Sequence, residues 1–150
     1  MGSTPDDQEL LDSLVAAARA LFGSASCSIA LLDDEQEELV FCAATGPGHE
    51  AIVGVRLPVN RGIAGWAVSA GQATAVDDVS RDPRFARDVA ESVGYVPTAI
   101  YVAPLETSRG TLGVISVLDP QVEGGGQGRT LDRLSAYAEP VALAIEGTRG

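Results

Sequence analysis

The chain has 150 residues, 45% of them hydrophobic and 21% charged, which suits one globular domain with its own core and excludes a disordered or fibrous chain. Its formal net charge is −11, from 21 acidic and 10 basic residues, and every one of those basic residues is Arg. A surface so acidic repels phosphate backbones and anionic lipid heads, which argues against nucleic acid and membranes as partners.

Residues 1–7 read as a polar, disordered lead-in. From Gln8 the apolar positions Leu10, Leu11, Leu14, Val15, Ala18, Leu21 and Phe22 fall in steps of three and four, the stripe of an amphipathic helix, which Gly23 stops. Cys27 to Leu32 and Leu39 to Ala44 are short apolar runs joined by the acidic turn Asp33 to Glu38, and they predict a hairpin. With Leu32 opposite Leu39, Cys27, Ile29, Leu31, Val40 and Cys42 share one face, and Ala30, Leu32, Leu39 and Phe41 share the other. Neither face is polar, so the sheet must be covered on both sides.

The loop Thr45 to Gly48 leads to a short strand at Val55 to Val59. A short helix follows from Arg61 to Val68, closed by Gly71, and then a brief strand from Ala73 to Val76. Asp82 is placed as an N-cap and Pro83 as the first residue of a helix that runs to Val93, where Gly94 ends it. Ala99–Leu105 and Thr111–Leu118 predict a second hairpin about the turn Glu106 to Gly110. Gln121 to Gly128 is a glycine-rich loop. The last helix starts near Thr130; Leu131, Leu134, Ala138, Val141 and Ile145 give it an a/d-type seam that suits either core packing or a homodimer through terminal helices. Pro140 predicts a bend. In this order the terminal helices cover one sheet face, and the middle segments wall a pocket on the other.

No run approaches the ~18 apolar residues that span a membrane. The N-terminus lacks the basic start and apolar core of a secretory signal, and two cysteines make no disulfide framework, so the expected location is the cytoplasm.

The segments Gly62-Ile63-Ala64-Gly65-Trp66-Ala67-Val68, Val76-Asp77-Asp78-Val79, Asp82-Pro83-Arg84-Phe85, Ala103-Pro104-Leu105 and Leu112-Gly113-Val114-Ile115 resemble, in order and spacing, the corresponding parts of GAF domains. The resemblance covers residues 8–147. It implies an α+β fold: a central antiparallel sheet of five to six strands, terminal helices on one face, and short helices and loops forming a small-molecule pocket on the other. It also implies a regulatory sensor, with an unidentified small-molecule ligand, a signalling-protein partner and dimerisation through the terminal helices.

The specialised chemistries of such domains find little support in the residues. Where cyclic-nucleotide binders carry Asn-Lys, this chain has Asp119-Pro120, and Leu131-Asp132 follow without the Phe and acidic pair. Cys27 and Cys42 lack the neighbouring His of bilin attachment, and residues 43–150 lack the cysteines of the methionine sulfoxide reductases. Cys27 and Cys42 share a face, so a thiol switch or thiol enzyme is the alternative to two small buried hydrophobes. His49, the only histidine, lies in a loop and reads as solvated, and no cluster suggests a metal. No nucleophile is specified by a base, no cofactor is assigned, and the domain reads as non-catalytic, with a scaffold carrying a vestigial pocket as the rival reading. Expected pocket walls are Phe41, Trp66, Phe85, Tyr95 and Tyr101, with Asp78 and Thr98 as polar anchors.

Overall fold

The computed structural model describes residues 5–122 and 125–149. Helix α1 spans Pro5–Phe22, followed by β1 (Ser26–Leu32), β2 (Glu38–Thr45), α2 (His49–Ile52), β3 (Arg56–Pro58), α3 (Gly62–Ala70) and β4 (Thr74–Val76). A 3-10 turn at Val79–Arg81 precedes α4 (Arg87–Val93), and β5 (Ile100–Thr107), β6 (Gly110–Leu118) and α5 (Gly126–Thr148) complete the chain. The six strands form one antiparallel sheet in the order β3-β2-β1-β6-β5-β4. The two predicted hairpins are its centre, joined through β1 and β6. This is the expected α+β architecture.

The hairpin β1–β2 has the expected register, with Leu32 opposite Leu39 and Ala30 opposite Phe41. A bulge then intervenes: Ile29 pairs with Ala43, so Cys42 is the extra residue. Strict alternation would turn Ala43 away from Cys42's face. The bulge keeps both on the α1/α5 side, where Ala43 is buried and Cys42 packs against the core.

On that side α1 and α5 pack against Cys27, Ile29, Leu31, Tyr101, Ile115 and Val117. Leu11, Val15, Ala18 and Phe22 of α1 meet Leu134, Ala138, Val141 and Ile145 of α5 in the same core. Four residues of the last helix's seam thus lie in this core, and Leu131 packs against it half-buried. Tyr137 donates to the Leu14 carbonyl at 2.9 Å and fastens the two helices together. The other face carries Ala30, Leu39, Phe41, Val102 and Val114, covered by Ile63 and Ala67 of α3 and by Val79.

Several boundaries differ from expectation. Helix α1 starts at Pro5, a residue suited to a first helical turn, so residues 5–7 of the supposed lead-in are helical and residues 1–4 lie outside the described ones. Helix α5 takes in Gly126 to Gly128; Thr130 Oγ1 bonds back to the Gly126 carbonyl at 3.2 Å. It runs on through Pro140, which stands on an exposed face where the unbonded carbonyl one turn back can meet water. The helix expected from Pro83 begins only at Arg87. The Asp82 carboxylate accepts from the Arg84 N–H at 2.9 Å and pairs with its guanidinium, which fixes an Asx turn rather than a helix N-cap. Helix α2 lies between the expected loop Thr45 to Gly48 and the expected strand Val55 to Val59, and His49, expected in a loop, is its first residue.

Candidate functional site

A cavity of about 130 Å³ lies between the second sheet face and the short middle elements. Its floor is formed by Ser26 and Ser28 of β1, Leu39 and Phe41 of β2, Ile100 and Val102 of β5, and Ser116 and Leu118 of β6. The lid is the first turn of α3 from Gly62 to Gly65, then Phe85 and Ala86, then Val89, Ala90 and Val93 of α4. Pro47, Gly48, Ile52, Leu57, Tyr95 and Pro97 close the rim.

The lid is built by local sequence. Helix α3 comes close to the strand before it because Gly65 has no side chain: a Cβ there would stand 2.5 Å from the Val59 carbonyl oxygen. Gly71 and Gly94 take left-handed conformations (φ 64° and 88°) and end α3 and α4, as their places in the sequence predict. Arg61, just before α3, reaches Asp88 of α4 through two hydrogen bonds of 2.7 and 3.3 Å. This clasp joins the two lid helices. The Asp88 partner raises the Arg61 pKa, and Arg61 holds the Asp88 carboxyl below its ordinary range. Arg61 is an N-cap residue without an acceptor side chain, so the first α3 amides have no side-chain cap.

A second clamp holds the rim. Asp119 sits at φ 53° and its Oδ1 accepts from the Thr98 and Ala99 backbone N–H groups at 2.9 and 2.8 Å. Its other oxygen accepts from the Tyr95 hydroxyl. Burial, with the Asp119 carboxylate beside it, pushes the Tyr95 pKa up to about 12. The Asp-Pro dipeptide that stands in place of Asn-Lys thus has a structural task.

Of the seven residues expected to contact a ligand, the structure brings Phe41, Phe85 and Tyr95 together at the cavity. Four lie elsewhere. Trp66 packs against the second core on the outer side of α3, with the Arg84 guanidinium 4.5 Å from its ring. Asp78 is exposed and caps the 3-10 turn through the Ser80 N–H at 3.1 Å. Hydrogen bonds from Ser80 are the main cause that lowers its pKa. Thr98 is exposed and serves through its backbone. Tyr101 is wholly buried on the α1/α5 side, where its hydroxyl donates to Asp77 at 2.9 Å. Its pKa rises to about 12, chiefly through burial. Alternation decides this: Tyr101 pairs with Val117 and shares its face, while Ile100 and Val102 take the cavity side.

Sequence reasoning missed three serines. Ser26 donates to the Thr45 carbonyl at 2.9 Å. Ser28 and Ser116 are directly opposite each other on β1 and β6 and are 7% and 5% exposed. Neither hydroxyl has a hydrogen-bond partner among the described residues. Their signal was a polar residue at a cavity-side position of an otherwise aliphatic strand, at 26 and 28 in β1 and at 116 in β6.

The remaining candidates take ordinary places. His49 is exposed, with Nδ1 2.9 Å from the Gly46 carbonyl. Both cysteines are free thiols. Burial pushes Cys27 up to about 12 and raises Cys42 as well, so neither favours the thiolate that redox chemistry requires. The bulge sets Cys42 beside Ile29, two residues from Cys27, and such diagonal neighbours are roughly 7–8 Å apart, too far for an unstrained disulfide. In the acidic turn, Arg56 reaches Asp33 at 3.1 Å and Glu38 at 3.0 Å, so a cation of the chain itself occupies that charge. Among the described residues no helix is long and apolar enough to cross a membrane.

Over 115 residues the chain is 31% identical to a methyl sulfide methyltransferase-associated sensor of Methanosarcina acetivorans, covering 73% of this chain and 11% of that protein. The second GAF domain of DevS from Mycobacterium smegmatis shares the fold at a TM-score of 0.74 and 18% identity, with 94% of each chain covered. The free methionine-R-sulfoxide reductase of Neisseria meningitidis, solved with its substrate, does so at 0.77 and 22%, covering 98% of this chain and 82% of that one. The profile of the GAF domain family matches residues 4–146, nearly the whole chain, and the chain belongs to that family.

Proposed function

We propose that this GAF domain is a signal-sensing regulatory unit of the cytoplasm, that it binds a small molecule in the cavity between sheet and lid, and that it is not a catalyst. One observation carries the reading. The sheet is closed by two long helices on one face, but on the other by short elements that leave an apolar cavity of about 130 Å³. That is close to the ~150 Å³ apolar cavity that accepts benzene in another protein.

The lining supports a binding rather than a catalytic role. No His, Asp or Glu lines the cavity among the described residues, so the serines there have no general base. Its single charged group, Arg61, is engaged by Asp88. The name of the archaeal relative, a sensor, supports the same class of function.

A ligand that binds only the folded form at 100 times its Kd stabilises it by about 2.7 kcal/mol. The expected result is a small molecule retained by protein purified from its own source, seen by native mass spectrometry, and a matching rise in Tm when that molecule is added back. A bare chain mass together with a flat thermal-shift screen of small molecules would sink the proposal.

A further inference from the structure

We infer that the ligand is a compact, uncharged molecule, apolar over most of its surface, whose single hydrogen-bonding oxygen is held between the hydroxyls of Ser28 and Ser116. The inference rests on the reading of the cavity as a ligand site.

Ser28 and Ser116 face the cavity from adjacent central strands. They are more than nine-tenths buried, yet neither hydroxyl bonds to another described residue. Both hydroxyls open onto the cavity, and an occupant that fills it without offering them a partner leaves two neighbouring hydroxyls unpaired at one point of an otherwise apolar floor, which is costly. Nearby Ser26 differs, since its hydroxyl is satisfied by the Thr45 carbonyl. Directly opposed residues of an antiparallel pair have Cβ atoms roughly 5 Å apart, so one oxygen set between the two side chains comes within reach of both. A carbonyl oxygen can accept from both hydroxyls; a hydroxyl can accept from one and donate to the other.

Charge and size narrow the class. Among the described residues Arg61 is the only ionic group on the lining and is already paired with Asp88, so a carboxylate would enter with no free counter-ion. The uncapped α3 amides offer only the partial charge of a helix end. The cavity volume of about 130 Å³ admits a benzene-sized body with a small substituent.

The test titrates the whole chain with phenol, toluene and benzoate by calorimetry, and repeats it with the Ser28→Ala/Ser116→Ala double variant. Both substitutions remove only a hydroxyl, and the expected Tm of the unliganded variant is equal or higher. The preference for phenol over toluene is expected to fall about tenfold in the variant, the worth of a hydrogen bond or two, while toluene keeps its affinity. An unchanged phenol-to-toluene ratio overturns the serine anchor and leaves the cavity as a ligand site. Benzoate binding more tightly than phenol overturns the uncharged class. Failure of all three probes to bind overturns the inference, while the reading of the cavity as a ligand site is judged separately by the retained molecule and the thermal-shift screen.

Discussion

Ile29, Ile115 and Val117 look from the sheet toward α1 and α5, and each is completely buried. Ser28, Ser116 and Leu118, their immediate neighbours in the same strands, look the other way into a cavity. The strands are shared, so the difference lies in what covers them. The cover on the first face is two helices of 18 and 23 residues, long enough to present several turns of continuous apolar stripe. The second face is covered by helices of four, nine and seven residues. Helices this short are not stable alone; α3 holds its place through the close approach at Gly65, and the Arg61–Asp88 ion pair ties it to α4. A face closed in pieces leaves volume, and its pieces can open locally at lower cost than the whole fold. One face thus carries the continuous helix-packed core, and the other leaves an apolar cavity of about 130 Å³ beneath short elements.

The largest expected effect separates the faces directly. Leu134→Ala, in the α5 core, should cost about 3 kcal/mol in urea unfolding, whereas Val89→Ala, on the edge of an existing cavity, should cost about 1 kcal/mol or less. Equal costs would abolish the distinction. Next comes Gly65→Ala, which sets a Cβ against the Val59 carbonyl and should cost about 2 kcal/mol by overpacking. Trp66 fluorescence would report a displaced α3, and an unperturbed spectrum would mean that the lid does not depend on that close approach.

Asp119→Ala removes three hydrogen bonds from the rim and should cost about 1.5 kcal/mol, while Asp119→Asn, which keeps an acceptor and tolerates a left-handed backbone, should cost less. Equal losses in the two variants would assign the effect to something other than the clamp.

Alkaline pH offers a subtler comparison. Cys27 and Tyr101 on the helix side and Tyr95 at the rim all have pKa values of about 12, raised from ordinary values of 9.0 for the thiol and 10.0 for the phenols. Each binds its proton more tightly folded than unfolded, so its stabilisation is complete below its ordinary value and is lost as pH rises toward the folded value. Unfolding free energy should therefore be level up to about pH 9 and decline from there toward 12. Tyr95→Phe should make that slope shallower through the rim, and Cys27→Ala through the helix side. A slope indifferent to both variants would place the alkaline transition elsewhere in the molecule.

The regular face was the more legible one in the sequence. Its helices and hairpins announce themselves by period, and the face assignments of β1 and β2 follow from one register, with the bulge at Cys42 the single departure. The lid was less legible because its order comes from interactions local to three or four residues. Asp82, read as a helix cap, makes an Asx turn with Arg84 instead. Size points to Tyr101 as a wall residue, but a strand's alternation, not size, decides which face a residue takes. That is why Tyr101 is on the far side, while the small residues Ser28 and Ser116 are on the cavity floor. A serine inside an aliphatic strand points to a site more directly than the size of a ring does, since its hydroxyl needs a partner wherever it is placed.

The central claim is that one face of the sheet is structural and the other takes a ligand. A ¹H–¹⁵N titration of the chain with phenol tests this most directly. Saturable shifts are expected only at the cavity floor and lid, at Ser28, Ile63, Val89 and Ser116, with the amides of Leu134 and Ile145 unmoved. Shifts centred on α1 and α5, or no saturable shift anywhere, would contradict the claim.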